Sequence, residues 1–393
     1  MMTTRIERRD VLRAGGVWGG VAFLGGTGAL VEQLIAQGCS EAPRGELLGV
    51  LPLHSARPRA TPFGQLVGGT GLDARLFTDL SRIEHGRLIT PTAEMFVRTT
   101  APASLNPPPA AWTIATSSGR AVTIDALRKD AQPMGAHLIE CSGNVDPDNF
   151  GLMSVTEWDG VPLTRLLPPI GSRTGASGLL VNGADDYSQD ARTSQPGASW
   201  VFPLAQLDAL GAFLAVGMNG APLTLDHGAP VRLVVPGWFG CSWIKWVNEL
   251  RLVGADEPAT SQMIEFSTRT HQADRSPLAR DYEPPVIDLA ATPIRVEKRR
   301  IDGRLEYRIV GIVWGGDRPV DRLMIRFNVG EKPQPFPICP APRTHRTWSL
   351  WDYRWKPESP GLYNIVLQAD DPSIRTRRLD LSFYIRRVVV DEI

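Results

Sequence analysis

Cysteine is scarce, with 4 in 393 residues, and none of them falls in a C-x-x-C, a C-x-x-C-H or a Cys/His cluster of zinc spacing. That excludes zinc-ribbon and thioredoxin-like chemistry and leaves a single-cysteine site or a disulfide. A surplus of charge is missing too: 42 Lys and Arg balance 42 Asp and Glu, so no nucleic acid or acidic polymer is expected as a partner. Internal repeats, low-complexity tracts and long charged helical patterns are absent. What is abundant is Pro (33) and Gly (38), which points to short strands and loops rather than a helical bundle. The length exceeds one ordinary core and predicts about two domains.

The first 40 residues read as an address. Arg5, Arg8, Arg9 and Arg13 precede an uncharged run from Ala14 to Val31 that holds seven glycines, and Ala36-Gln37-Gly38 follows as a small-residue cleavage pattern. Glu7 to Arg13 resembles the twin-arginine export motif, and so glycine-rich a run is too weakly apolar for a stable membrane span. Residues 1–40 are therefore expected to be a twin-arginine signal peptide that delivers an already folded protein to the periplasm. An oxidising destination keeps a disulfide between Cys141 and Cys241 open.

The stretch Met134 to Asn149 is the centre of the chain. His137, Leu138 and Ile139 lead into a polar corner with Gly143, so the run predicts a buried strand delivering Cys141 to a loop. A thiolate there has three uses: metal ligand, nucleophile or half a disulfide. Arg98 closes the run that starts at Leu88 and leads into a loop, where a guanidinium fork can hold an anion. Trp158 to Leu167 is expected to be a short amphipathic helix with Pro162 in its first turn. Phe202 to Leu210 reads as another helix, and Phe213 to Met218 as a strand before the Asn219-Gly220 hairpin turn.

The densest segment runs from Asp226 to Val247. Two β-branched runs flank a Gly- and Trp-rich loop, with His227, Arg232, Ser242 and Lys245 as donors suited to a phosphate-bearing ligand. After a polar, Pro-rich linker, the chain from residue 294 to 393 alternates strands and turns, the pattern of a β-sandwich.

Several runs carry a family likeness. L-I-T-P-T-A-E-M-F-V-R-T, E-C-S-G-N, the run from Met218 to Arg232, P-G-W-F-G-C-S-W-I-K-W, and W-G-G-D-R with W-S-L-W-D-Y-R-W together resemble the sulfite oxidase family of molybdenum-pterin oxidoreductases. The likeness is strongest to the periplasmic bacterial branch of sulfite and sulfane dehydrogenases.

The resemblance implies an α+β fold, with a molybdopterin-binding oxidoreductase domain (41–258), a linker (259–293) and an Ig-like β-sandwich dimerisation domain (294–393). Cys141 would ligate molybdenum. Phe96, Arg98, Thr99, Asp185, His227, Arg232, Ser242, Trp243 and Lys245 would hold the pterin and its phosphate. The implied chemistry is oxygen-atom transfer on a sulfur compound, with no haem in this chain, a separate electron-transfer partner such as a cytochrome, and a homodimer. Arg98, and Arg378 or its neighbour Arg377 from the C-terminal domain, are expected to face the substrate. Five residues past the cysteine, where the family has an arginine, stands Asp146, which favours a neutral or cationic substrate such as an organic sulfide or sulfoxide. The alternatives are an S-oxide or N-oxide reductase on the same fold, and a non-catalytic secreted binding protein with Cys141 and Cys241 joined.

Overall fold

Strands dominate because β-branched and aromatic runs alternate with Gly and Pro at nearly every boundary. The computed structural model describes residues 45–54, 66–105, 111–145, 150–185, 196–328, 330–381 and 383–393. The signal-peptide expectation for residues 1–40 and the reading of Asp146 both lie outside the described residues.

Two five-stranded sheets carry the region around Cys141. One is antiparallel, in the order Ala221–Pro222, Phe213–Met218, Met153–Pro162, Gln132–Glu140, with Arg232–Val234 also paired to Phe213–Met218. The other runs Val122–Thr123, Thr113–Thr116, Val247–Val253, Gly178–Gly183, Ser199–Pro203, and its Thr113–Thr116 strand lies parallel to Val247–Val253. Short helices close the connections. Ile124–Asp130 is N-capped by the Thr123 hydroxyl, which accepts from the Ala126 N–H. Leu204–Leu210 ends at Gly211 in the left-handed region.

The strand expected at Phe213–Met218 turns back through Asn219 and Gly220, both at positive φ, into Ala221–Pro222. The Asn219 side chain also donates to the Thr90 carbonyl and accepts from the Glu157 N–H, so the turn anchors the segment that leads to Arg98. The helix expected across Trp158 to Leu167 is shorter than expected. Trp158 to Pro162 continues the strand Met153–Pro162, and the helix is Leu163–Ile170. Packing decides this: a Cβ on Gly160 would sit 2.3 Å from the Leu214 carbonyl oxygen, an approach that belongs to paired strands.

The C-terminal part is two antiparallel four-stranded sheets. One is ordered Glu46–Leu51, Ala290–Ile301, Arg304–Trp314, Ser349–Trp355, and the other Gln334–Pro337, Arg322–Arg326, Gly361–Ala369, Arg386–Val390. Phe336 packs on Trp351, and Phe327 and Tyr363 on Trp355, so an aromatic core joins the sheets. The fold is α+β with an Ig-like sandwich. The sandwich is tied to the Cys141 region by Trp314, Arg346 and Arg377, as described below.

Candidate active site

Cys141 follows the last residue of strand Gln132–Glu140, in which Leu138, Ile139 and Glu140 are all buried. A run buried on both faces needs cover from two sides, and the sandwich supplies part of it. The Arg346 carbonyl accepts from the Leu138 N–H, and Trp314 Nε1 donates to Glu140 Oε2.

Beyond the strand the chain turns tightly. The Cys141 N–H donates to the Leu152 carbonyl, and the Asn144 N–H donates to the Cys141 carbonyl. Asn144 Oδ1 takes the Leu152 N–H. The Gly143 N–H points at Cys141 Sγ, 3.3 Å away, so the turn presents a buried sulfur already met by a donor, as a thiolate ligand needs.

Cys141 lines a cleft of about 850 Å³, open solvent at its mouth included. Of the residues expected at the site, Phe96, Arg98, Thr99, Cys141, Asp185, His227, Arg232, Trp243 and Lys245 line it together. Two do not. Ser242 is buried, and its hydroxyl donates to the Phe239 carbonyl. Arg378 lies at the surface, forked onto Asp380. Its neighbour Arg377 is the one that turns inward, held bidentate on the buried Glu140 at 2.8 and 2.7 Å.

Lys245, Arg232 and His227 bring three segments to the cleft wall. Lys245 Nζ donates to the Thr99 carbonyl and hydroxyl (2.6 and 2.7 Å) and to the Asp226 carbonyl (3.0 Å), over the Trp246 ring. Arg232, 3% exposed, lies against the rings of Trp158 and Trp243 and donates to the His227 and Trp243 carbonyls. His227 shares a 2.6 Å hydrogen bond between Nδ1 and the Thr224 hydroxyl.

Glycines make this convergence possible. A Cβ on Gly183 would lie 2.2 Å from the Lys245 carbonyl oxygen, and Gly228, at φ +106°, would bring one within 3.2 Å of the Lys245 Cβ.

The electrostatics of this wall are unbalanced. Burial pushes Arg232 down to about 9. Burial, then the Arg232 and Lys245 charges, pushes His227 down to about 4. Burial and Arg232 hold Lys245 well below the ordinary lysine range, while burial raises Asp185. Arginine does not lose its proton in a folded protein, so its depression marks a buried charge without a counter-ion. Among the described residues no carboxylate makes a salt bridge with Arg232 or Lys245. His227 Nε2 and Arg232 Nε have no hydrogen-bond partner. A cleft lined by stripped cations and orphaned nitrogens fits an anionic group, and the Cys141 sulfur in the same cleft fits a soft metal.

Cys141 and Cys241 both line the cleft as free thiols, which overturns the disulfide-bonded binding protein. Burial pushes the Cys241 thiol up to about 12, so it stays protonated. Sequence reasoning missed Asp226, Gln262, Glu265 and Phe266 in the cleft wall. It also missed Glu140 beneath Cys141. The stretch 259–293 read as featureless polar chain, and the only local signal was Thr260, the N-cap of helix Ser261–Phe266.

Known proteins give the same reading. Residues 107–261 match the model of the oxidoreductase molybdopterin binding domain. The chain is 28% identical over 230 residues to mitochondrial sulfite oxidase of Macaca fascicularis, covering 56% of this chain and 42% of that protein. It is 26% identical over 343 residues to inducible nitrate reductase [NADH] 2 of Glycine max, covering 76% of this chain and 38% of that protein. The chain thus spans less than half the length of either relative. Its fold is similar to that in the crystal structure of the sulfane dehydrogenase SoxCD from Paracoccus pantotrophus, with TM-score 0.60 and 19% identity, covering 84% of this chain and 90% of that one.

Proposed function

Because the chain belongs to the sulfite oxidase family of molybdenum-pterin oxidoreductases, we propose that it performs oxygen-atom transfer on a sulfur compound as an exported, periplasmic enzyme. One observation carries the reading: a buried thiol, Cys141, two cations without a salt-bridged carboxylate, Arg232 and Lys245, and the neutral His227 stand in one cleft. When bound, the molybdenum-pterin group supplies the two-electron oxidation and the oxygen transfer.

The chain's own residues bind and orient. Cys141 offers the thiolate ligand, with the Gly143 N–H stabilising its charge. Lys245, Arg232 and the orphaned His227 Nε2 receive the phosphate, Trp243 and Phe96 wall off water, and Arg98 faces the substrate. Electrons leave to a separate protein such as a cytochrome, and two copies pair through the sandwich.

Protein purified from a host that makes the cofactor should hold about one molybdenum per chain, and Cys141→Ser should lose most of it. Wild-type protein without metal would refute the proposal. The likeness to nitrate reductases keeps a reductive reading in view. Turnover with a reduced dye and an S-oxide or N-oxide, but not with an oxidising dye and a sulfur donor, would select it.

A further inference from the structure

A fully buried carboxylate stands one position before the reactive sulfur. Side chains alternate in direction along strand Gln132–Glu140, so Ile139 and Cys141 both line the cleft, while Glu140 points the other way, into the sandwich. There its two oxygens take four donors. Arg377 Nη1 and Nη2 donate to Oε1 and Oε2 at 2.8 and 2.7 Å, Trp314 Nε1 to Oε2 at 2.8 Å, and Asn144 Nδ2 to Oε1 at 3.3 Å.

Asn144 links this cluster to the sulfur. Its N–H donates to the Cys141 carbonyl and its Oδ1 accepts from the Leu152 N–H, so one residue ties the turn that carries Cys141 Sγ to the segment that returns beside it. That returning segment rests on the sandwich as well. Phe150, fully buried, packs on Trp314 at 6.0 Å and edge-on to Tyr384 at 5.4 Å, and the Tyr384 hydroxyl accepts from Arg377 Nη1 at 3.0 Å. The chain is therefore seated on Trp314, Arg377 and Tyr384 both as it enters the Cys141 turn and as it comes back.

A buried ion pair adds little net stability over well-packed apolar residues, because both charges give up their water. What this pair adds is geometry: a planar guanidinium fork holding both carboxylate oxygens fixes the orientation of Glu140, and with it the backbone that leads into Cys141. We propose that Arg377 is a positioning residue for the metal site: acting from the sandwich through Glu140 and Asn144, it fixes the turn that aims Cys141 Sγ into the cleft. The proposal rests on the reading of Cys141 as the metal ligand and goes beyond it, since it makes the C-terminal sandwich part of the site. It also departs from the expectation that an arginine of the C-terminal domain faces the substrate, because both Nη nitrogens of Arg377 are engaged by Glu140 and Tyr384 and the residue does not line the cleft.

The test compares wild type, Arg377→Met, Arg377→Lys and the double variant Glu140→Gln/Arg377→Met. Hydrogen exchange is read at the Cys141, Asn144 and Leu152 amides in protein made without the cofactor, and the sulfur neighbours of molybdenum are read by X-ray absorption in protein made with it, with Cys141→Ser as the reference for a lost sulfur. Arg377→Met should speed exchange at those three amides about tenfold or more beyond any change in strand Phe213–Met218. It should also weaken the Cys141 sulfur signal, and Arg377→Lys should restore part of each. The double variant removes the unpaired charge and so regains stability. A merely structural pair would let exchange and the sulfur signal return with it, whereas a positioning pair leaves both altered. That return, or exchange at the three amides rising only in step with the rest of the fold, would overturn the proposal and leave the cofactor reading standing. Wild-type protein free of molybdenum would overturn both.

Discussion

At the residue scale, His227 shows how the site is poised. Its side chain is buried beside two cations, which favours the neutral imidazole and sets its pKa at about 4 against an ordinary 6.5. A histidine with a depressed pKa stabilises the fold above its unfolded value, and that contribution disappears as pH falls through the folded one. Protein made without the cofactor should therefore lose about 3 kcal/mol of stability between pH 7 and pH 4 from this residue alone. Urea denaturation should show a shallower slope over that range in His227→Gln. With an anion bound beside Nε2 the imidazolium is favoured, so the acid loss should shrink in holoprotein.

At the element scale, the site depends on backbones passing close enough to bring segments distant in sequence together. Strand Gly178–Gly183 passes the loop carrying Lys245 so tightly that a methyl on Gly183 would overlap the Lys245 carbonyl. Gly183→Ala should cost about 1–3 kcal/mol in overpacking. Because the displaced residue is the lysine that caps the cation cluster, molybdenum content should fall more than secondary structure does. Metal analysis beside circular dichroism separates the two.

The strand before Cys141 and the Asn219-Gly220 hairpin were legible because they rest on local apolar runs and on turn chemistry. The helix at Trp158 was misjudged because alternation within a short apolar run cannot tell a helix start from a strand buried on both faces. Helix Ser261–Phe266 escaped notice because its signal is a single cap and six residues, while its role comes from where it is packed.

At the scale of the whole molecule, the sandwich is bolted to the reactive turn. Glu140, adjacent to Cys141 and fully buried, receives both Arg377 nitrogens and the Trp314 indole, and Asn144 Nδ2 also donates to it. Burial opposes the Arg377 charge, but Glu140 and Tyr384 outweigh it and hold the guanidinium above its ordinary range. Removing one member leaves the other charged and alone. Arg377→Met or Glu140→Gln should cost about 3–5 kcal/mol, and the double variant should regain part of that. Chemical denaturation of the three variants checks it, and a double variant no better than the worse single would contradict the pairing. The strand Glu46–Leu51 completes this same sandwich by pairing with Ala290–Ile301, so a segment expected within the oxidoreductase domain (41–258) is a structural member of the C-terminal part.

The sequence by itself determined what is local or compositional: the strand that delivers Cys141, the hairpin, the donor-rich segment from Asp226 to Lys245 and the sandwich pattern. Those follow from periodicity, turn residues and the chemistry of side chains a few positions apart. Only the tertiary structure decided where each arginine goes. Arg377 rather than Arg378 turns inward, onto Glu140, and Arg75 and Arg98 meet at the Leu72 carbonyl. Charged side chains carry no periodic signal, and whether a guanidinium meets water, a carboxylate or a reactive thiol is set by packing between segments up to hundreds of residues apart.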